Sequence, residues 1–368
     1  MEDLFRFADE LGPAKVLQIF FSQTGLKAVV AIDNTACGQA IGGVRMASDV
    51  TAEEACRLAR AMTLKNAAAG LPHGGGKAVI YGDPKMALCK KEQVIRAFAA
   101  AIAGLTEYVP GPDMGTDELA MGWVHDEIGR AVGLPRELGG IPLDEIGATG
   151  FGLAVAVEVA SKAIGLALKG ARIAVQGFGA VGKHAARFLE RKGCVLVGSS
   201  DSGGTVSSPA GLDVAALIAL KNAGKSVTDL PEGQKDNQQA IIDVPCDIWI
   251  PAARPDVLNK ENAARVKARI VAQGANIPCT PEAEALLESR GVLVLPDFVV
   301  NAGGVICAAA EYRGATESTA FAAIEDKIRR NTTCIIEESR RTGVAMRASA
   351  TALASSTIRN AERVRRWH

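Results

Sequence analysis

The run Gly177-Phe178-Gly179-Ala180-Val181-Gly182 constrains this chain more than any other feature of its sequence. It follows an apolar stretch, Arg172 to Val175, and opens a segment with Ala185, Phe188 and Leu189 at helical spacing. A strand that ends in glycines and turns at once into a helix belongs to a parallel α/β layer. In G-x-G-x-x-G the first glycine permits the tight turn, the second lets backbone approach a pyrophosphate, and the third lets helix pack on strand. The helix N-terminus then offers amide hydrogens to the anion. Downstream, Cys194 to Val197, Asp247 to Ile250, Arg269 to Val271 and Val292 to Leu295 read as further strands between helices. Asp201 lies about 20 residues past the last glycine, where an acid accepts bonds from a ribose 2′-hydroxyl, which favours NAD with NADP not excluded. Ser199 to Gly204 reads equally as an ordinary polar turn.

A chain of 368 residues exceeds the size at which single cores stop growing, so two domains are expected. Lys plus Arg equals Asp plus Glu at 41 each, which removes the basic footprint of a nucleic-acid binder and leaves small molecules as the expected partners. The eight cysteines show no paired spacing, and no His/Cys/Asp/Glu cluster suggests a metal. Met1 to Leu4 lacks the start of a signal peptide and no uncharged apolar stretch is long enough for a membrane span, so a cytoplasmic enzyme is expected.

Short strand-like runs (Val16 to Phe21, Leu26 to Ile32, Ala78 to Tyr81) mix with helical patterns in the first part. One helix begins at the capping box Thr51/Glu54, carries Leu58, Met62 and Lys65 on one face, and meets Gly70 at its end. Gly139 to Pro142 and an Ala/Val-rich helix from about Gly150 to Ile164 form the connection, and the chain is helical again after Tyr312, ending in a basic tail, Arg359 to Arg366. The expected division is 1–140 plus about 316–368 for a substrate and oligomerisation domain, and 141–315 for the dinucleotide domain.

Gly74-Gly75-Gly76-Lys77 precedes a strand, so it is a poor nucleotide phosphate loop; its glycines let backbone come close to a small molecule beside Lys77. A lysine in an apolar pocket near another cation, here Lys65, has its pKa lowered toward that of a general base. Lys65 extends an apolar stripe, where an ammonium is costly unless it meets an anion such as a substrate carboxylate. Asp113 follows as a candidate acid within Pro110 to Thr116. Each has a plainer reading: a snorkelling lysine, a glycine turn with a solvated charge, a turn-forming aspartate. His73 and His125 are further acid–base candidates that structural roles also explain.

With these motifs in order, the chain resembles the glutamate/leucine/phenylalanine/valine dehydrogenase family over nearly its whole length. The carrying segments are Gly42 to Arg45, Met62 to Lys65, Gly74 to Lys77, Pro110 to Thr116, Ala148 to Gly150, Gly177 to Gly182, Gly274 to Asn276 and Asn301 to Val305. The resemblance implies two α/β domains: an N-terminal substrate and oligomerisation domain, and a Rossmann-type doubly wound dinucleotide domain, with C-terminal helices returning to the first. It implies homo-oligomers and reversible oxidative deamination of an L-amino acid to a 2-oxo acid and ammonium, in a cleft that closes over the substrate. Carried over by position, Lys65 binds the α-carboxylate, Lys77 activates water, Asp113 handles protons, Thr149, Ala252 and Asn276 join the glycine loop at the cofactor, and Asn301 lines the pocket floor. Glutamate-specific members have a lysine before the Gly-Gly pair and a serine after Asn-Ala-Gly-Gly; here Ile41 and Ala308 stand there. A second carboxylate buried without a partner costs about several kcal/mol, so an apolar or uncharged side chain is expected, held by Ile41, Gly43, Met62, Ala308 and Val305. Glutamate dehydrogenase with an atypical carboxylate site, a non-catalytic NAD-binding regulator and a hydroxy-acid dehydrogenase are the competing readings.

Overall fold

The computed structural model describes residues 5–365; Met1 to Leu4 and Arg366, which entered the reading of the termini, lie outside them. The chain packs as two units, one formed by residues up to Leu143, Val305–Ala320 and from Thr351, the other by Asp144–Gly304 and Phe321–Ala350.

The first unit contains β1 (Lys15–Phe21), β2 (Leu26–Asn34), β3 (Ala40–Ala47), α1 (Ala52–Ala68), β4 (Gly74–Tyr81), α2 (Leu88–Ala101), β5 (Tyr108–Pro112) and α3 (Glu118–Ile128). The strand order is β1-β2-β4-β3-β5, with β3 parallel to both neighbours. Alternation along the strands sorts the core: Val30, Ile32, Met46 and Ile80 pack with Phe98 and Met121, while Val29, Ala31 and Val79 pack with Ala55 and Ala59 of α1 on the other face. Thr51 caps α1 through its hydroxyl, which accepts from the Glu54 amide at 3.0 Å.

The glycines before Lys77 are inside β4, not in a loop ahead of it. A Cβ on Gly75 would lie 2.1 Å from the Thr63 nitrogen, and one on Gly76 would lie 2.8 Å from the Tyr108 ring. They are small so that α1 and Tyr108 can press on the two faces of the sheet, not so that a ligand can approach. β3 and β5 carry Gly-Gly and Pro-Gly-Pro, which read as breakers; sheet pairing overrides propensity, and β5 tolerates its prolines as an edge strand.

The second unit begins with α4 (Leu143–Ile146) and α5 (Ala148–Ala163), followed by β6 (Arg172–Gln176), α6 (Ala180–Arg191), β7 (Val195–Asp201), β8 (Gly204–Ser207), α7 (Val214–Asn222), β9 (Gln234–Asp236) and β10 (Ile248–Pro251). It continues with β11 (Ile270–Ala272), α8 (Pro281–Ser289), β12 (Leu293–Leu295) and α9 (Asp297–Val300). The order β12-β11-β10-β6-β7 is parallel throughout, extended by antiparallel β8 and β9, a doubly wound sheet. The last helices are α10 (Gly303–Glu311), α11 (Glu317–Thr342) and α12 (Met346–Glu362). Unlike the expected return of everything after 316 to the first unit, 321–350 pack with the second, where Phe321 stacks edge-on against Phe151 at 4.9 Å.

The stretch Leu143–Ala163 is by length and composition apolar enough to cross a membrane, but it is not uncharged, carrying Asp144, Glu145, Glu158 and Lys162, and most of it is buried inside the protein. Its α5 part is a core helix, apolar over most of its surface because most of that surface is covered. Gly147 and Gly150 let it close on α6: a Cβ at Gly150 would lie 2.6 Å from the Ala185 nitrogen.

His184 of α6 is buried in that contact. Burial, then Arg187 and Lys183, push its pKa down to about 4. The unfolded chain therefore binds a proton that the folded one refuses as pH falls from about 6.5 toward 4, so stability falls over that window, by up to about 3 kcal/mol. Urea unfolding at pH 7 and pH 4.5 should show this loss, and His184→Leu should flatten it; an unchanged slope in the variant would rule out His184 as the cause.

Candidate active site

The face of the first sheet that carries α1 also carries Ile41, Gly43 and Arg45 from β3 and Gly75 and Lys77 from β4, with Ile41 opposite Gly75. Just past β5, Asp113 accepts from the Lys77 ammonium. Arg45 Nε donates to the other Asp113 oxygen at 2.9 Å and Arg45 Nη1 pairs with Glu54, so four charges form one chain. The Met114 amide also donates to Asp113, at 2.7 Å. Thr116 locks the turn, accepting from the Asp113 amide at 3.0 Å and donating to the Val44 carbonyl at 2.8 Å. Gly43 is required here, since a Cβ would lie 2.7 Å from Asp113 Oδ2.

Lys77 is 4% exposed. Burial lowers its pKa, the Asp113 anion opposes this, and Arg45 adds to the lowering. Burial raises the Asp113 pKa, but Lys77 and Arg45 more than offset it, holding the carboxyl below its usual range. Arg45, which the sequence reading did not single out, is thus a cation that acts on Lys77. Alternation at 41, 43 and 45 was the available signal for Arg45. Glu54, read as half of a capping box, turns its carboxylate to Arg45 instead. Lys65 and Met62 lie half-buried on α1, whose Thr63 presses on Gly75.

Ile41 and Ala308 are both buried. One turn from Ala308, the buried Glu311 carboxylate accepts from the Leu134 amide at 3.1 Å and the Ile141 amide at 2.8 Å, holding that loop to α10. His125 lies on α3, lining a surface groove with Trp123, Leu119 and Leu138.

In the second unit the glycine loop has the geometry an anion needs. Gly177 has φ +87°, and a Cβ there would lie 2.7 Å from Ala253; at Gly182 it would lie 1.9 Å from the Gly177 carbonyl oxygen. Above Gly179 nothing stands within 4 Å, and no side chain caps α6, so its first amides face open space. Ala180 is exposed and Val181 half-buried, while Phe178 is buried, so there the loop offers only backbone. A Cβ on Gly274 would touch Ala252 at 3.1 Å and Val181 at 3.3 Å. Asn301 Nδ2 donates to the carbonyls of Gly274 and Ala275 and to Asn276 Oδ1, while its own Oδ1 is buried without a partner. Thr149 sits against Gly303, where a Cβ would lie 3.1 Å from its Cα.

Asp201 is tied down internally. It accepts from the Gly203 amide at 2.9 Å, Ser226 Oγ at 2.8 Å, Lys221 Nζ at 2.6 Å and the Val227 amide at 3.0 Å. These bonds belong to the polar-turn reading, and a ribose hydroxyl would have to displace one of them.

A doubly wound sheet with an open glycine loop, in one chain with a buried lysine–carboxylate pair, defines an α/β dehydrogenase. The chain belongs to the glutamate/leucine/phenylalanine/valine dehydrogenase family: that family's profile matches residues 139–366, and the profile of the Glu/Leu/Phe/Val dehydrogenase dimerisation domain matches 13–130. It is 38% identical to a glutamate dehydrogenase of Aeropyrum pernix over 322 residues, 82% of this chain and 77% of that one. NADP-specific and NAD-specific glutamate dehydrogenases are among its relatives. Its fold matches hetero-hexameric glutamate dehydrogenase from Thermus thermophilus in a leucine-bound form, with TM-score 0.87 and 30% identity over 97% of this chain and 91% of that one. It also matches L-tryptophan dehydrogenase from Nostoc punctiforme, with TM-score 0.75 and 27% identity over 96% and 98%.

Removing Arg45 removes one cause of the low Lys77 pKa. In Arg45→Met the Lys77 pKa rises, so the acid limb of kcat/KM for amino-acid oxidation moves to higher pH and the rate near neutrality falls. An acid limb that stays in place would show that Arg45 does not tune Lys77.

Proposed function

We propose that the protein catalyses NAD(P)-dependent oxidative deamination of an L-amino acid whose side chain is apolar or uncharged. The balanced reaction takes amino acid, NAD(P)+ and water to 2-oxo acid, ammonium, NAD(P)H and a proton. The observation that carries it is the buried Lys77–Asp113 contact on the Ile41 face of the sheet. Ile41 and Ala308 argue against glutamate, because neither supplies a cation or hydroxyl to a second carboxylate.

The nicotinamide dinucleotide, when bound, accepts hydride from the substrate Cα. The Gly177–Gly182 backbone and the α6 N-terminus would hold its pyrophosphate, with Thr149, Ala252, Asn276 and Asn301 around the other end. The unused Asn301 Oδ1 fits a ligand amide N–H. Neither NAD nor NADP is favoured by Asp201, whose lone pairs are already engaged.

Lys65 supplies the charge that anchors the α-carboxylate. Asp113, an anion held by Lys77 and Arg45, accepts a proton from the substrate ammonium, leaving the amine from which hydride can depart. Lys77, its pKa lowered by burial, takes a proton from the water that adds to the resulting imine carbon. Its return proton leaves with the nitrogen as ammonia. Oligomeric assembly follows from the dimerisation-domain match, and a homo-oligomer is the expected form.

The second reading, glutamate oxidation, is favoured by the relatives' own activities. A panel of L-amino acids with NAD+ and with NADP+ separates the two: leucine, valine, phenylalanine or tryptophan should be oxidised faster than glutamate, and the reverse order would make this a glutamate dehydrogenase. Within the same assay Lys77→Ala should lose about a hundredfold or more in kcat, while Lys65→Ala should chiefly raise KM, because an anchor acts on ground and transition states alike. Near-normal kcat in Lys77→Ala would remove the lysine from its role.

A further inference from the structure

The second unit carries a charged cluster that neither the reaction nor the glycine loop accounts for. Arg347, in the first turn of α12, reaches three side chains there. Its Nε and Nη2 donate to the two carboxylate oxygens of Glu284 on α8 at 2.7 and 2.6 Å, a forked pair. Nη2 also donates to Asp297 Oδ1 at 2.9 Å and to Gln273 Oε1 at 3.2 Å, and the guanidinium lies 5.7 Å from the centre of the Phe298 ring. Gln273 Nε2 donates to Glu284 as well. Glu284, Asp297 and Gln273 are all buried, so two carboxylates out of reach of water share one guanidinium.

Two of these partners bracket the Gly274–Asn276 segment. Gln273 is the residue before it, and Asp297 holds the residue after it, where Oδ2 accepts from the Ile277 amide at 2.8 Å. The Asp297 carbonyl accepts from the Asn301 amide at 2.8 Å, and Asn301 donates its side-chain hydrogens back to the segment. The backbone there needs such a hold. Ile277 has φ +44°, which a β-branched residue rarely adopts, and it is 47% exposed, so burial of its own side chain does not account for the conformation. Asp256, the one other non-glycine residue at positive φ among the described residues, donates its amide to the Ile277 carbonyl at 3.0 Å. Such conformations persist only where the surroundings over-determine them, and they cluster where a ligand is held.

We propose that Arg347 is a positioning residue for the nicotinamide end of the dinucleotide: by bridging Gln273 and Asp297 it fixes the turn that carries Asn276. Arg347 itself touches no cofactor. It holds Asp297, Asp297 holds the Ile277 amide, and the strained Ile277 sets the direction in which the exposed Asn276 points. Released from Asp297, Ile277 relaxes to negative φ and Asn276 turns away with it. The Gly177–Gly182 loop takes no hydrogen bond from Arg347, so its hold on a pyrophosphate survives the change.

This inference rests on the dinucleotide site assigned above and not on which amino acid is oxidised. The test is the calorimetric Kd, without amino acid, of NADH against ADP-ribose and of NADPH against 2′-phospho-ADP-ribose, in the intact protein, Arg347→Met and Arg347→Lys. The ADP-riboses keep the pyrophosphate and lack the nicotinamide. In Arg347→Met the reduced dinucleotide should bind about tenfold more weakly while its ADP-ribose binds as before. Arg347→Lys, which keeps a charge for the two carboxylates but cannot fork, should fold and fall between; if Arg347→Met does not fold, the lysine variant decides alone. The two ligands are compared on one sample, and a general loosening of the unit would weaken both. A ratio of the two Kd values that stays unchanged in the folded variants, whether through equal weakening or none, overturns the inference and leaves the dehydrogenase reading standing. Failure of the intact protein to bind either dinucleotide overturns both.

Discussion

The ion pair between Lys77 and Asp113 is the interaction on which the rest of the first unit depends. Burying an ammonium is tolerable only against an anion, and burying that anion needs further donors. The structure supplies them: Arg45 and the Met114 amide on the carboxylate, and Glu54 behind Arg45. The strands around the pair are packed closely enough to need glycines. Gly43 leaves space for Asp113, Gly75 lets α1 close over the strand, and Gly76 admits the Tyr108 ring. The glycine-rich segments are thus the packing condition for a buried charge.

The second unit solves a different problem with the same device. Its loop must present backbone to an anion, so Gly179 faces open space while Gly177 and Gly182 are pressed against neighbouring chain. Asn301 then spends its amide hydrogens on three oxygens of the Gly274–Asn276 segment, which fixes that segment and leaves one buried oxygen unused. Both sites show polar groups fixed by their own neighbours before any ligand arrives, the condition for catalysis by preorganised charge.

Much of this was legible in order along the chain. The strand–glycine–helix signal at 172–189 has a steric meaning that survives any context: Gly177 makes the turn, Gly182 lets the helix pack on the strand, and Gly179 is left open. The capping hydroxyl of Thr51 and the helix after it were equally readable. Less legible were β3 and β5, whose Gly and Pro content argues locally against strands, and the glycines of β4, which look like a loop until α1 is placed on them.

What the sequence by itself determined was the family, the dinucleotide loop, and Lys65, Lys77 and Asp113 as candidate chemistry, because these rest on short-range spacing and on residue type. Only the tertiary structure decided which charges meet. Arg45 joins Lys77 on Asp113, Glu54 serves Arg45 rather than a cap, and Asp201 is bound by Lys221, Ser226 and Val227 from a segment twenty or more residues on. Likewise, His73 Nδ1 carries the hydrogen because the Gln39 carbonyl, 3.2 Å away, can only accept. Partners far apart in sequence are chosen by strand register and helix packing, and neither is written in the local pattern.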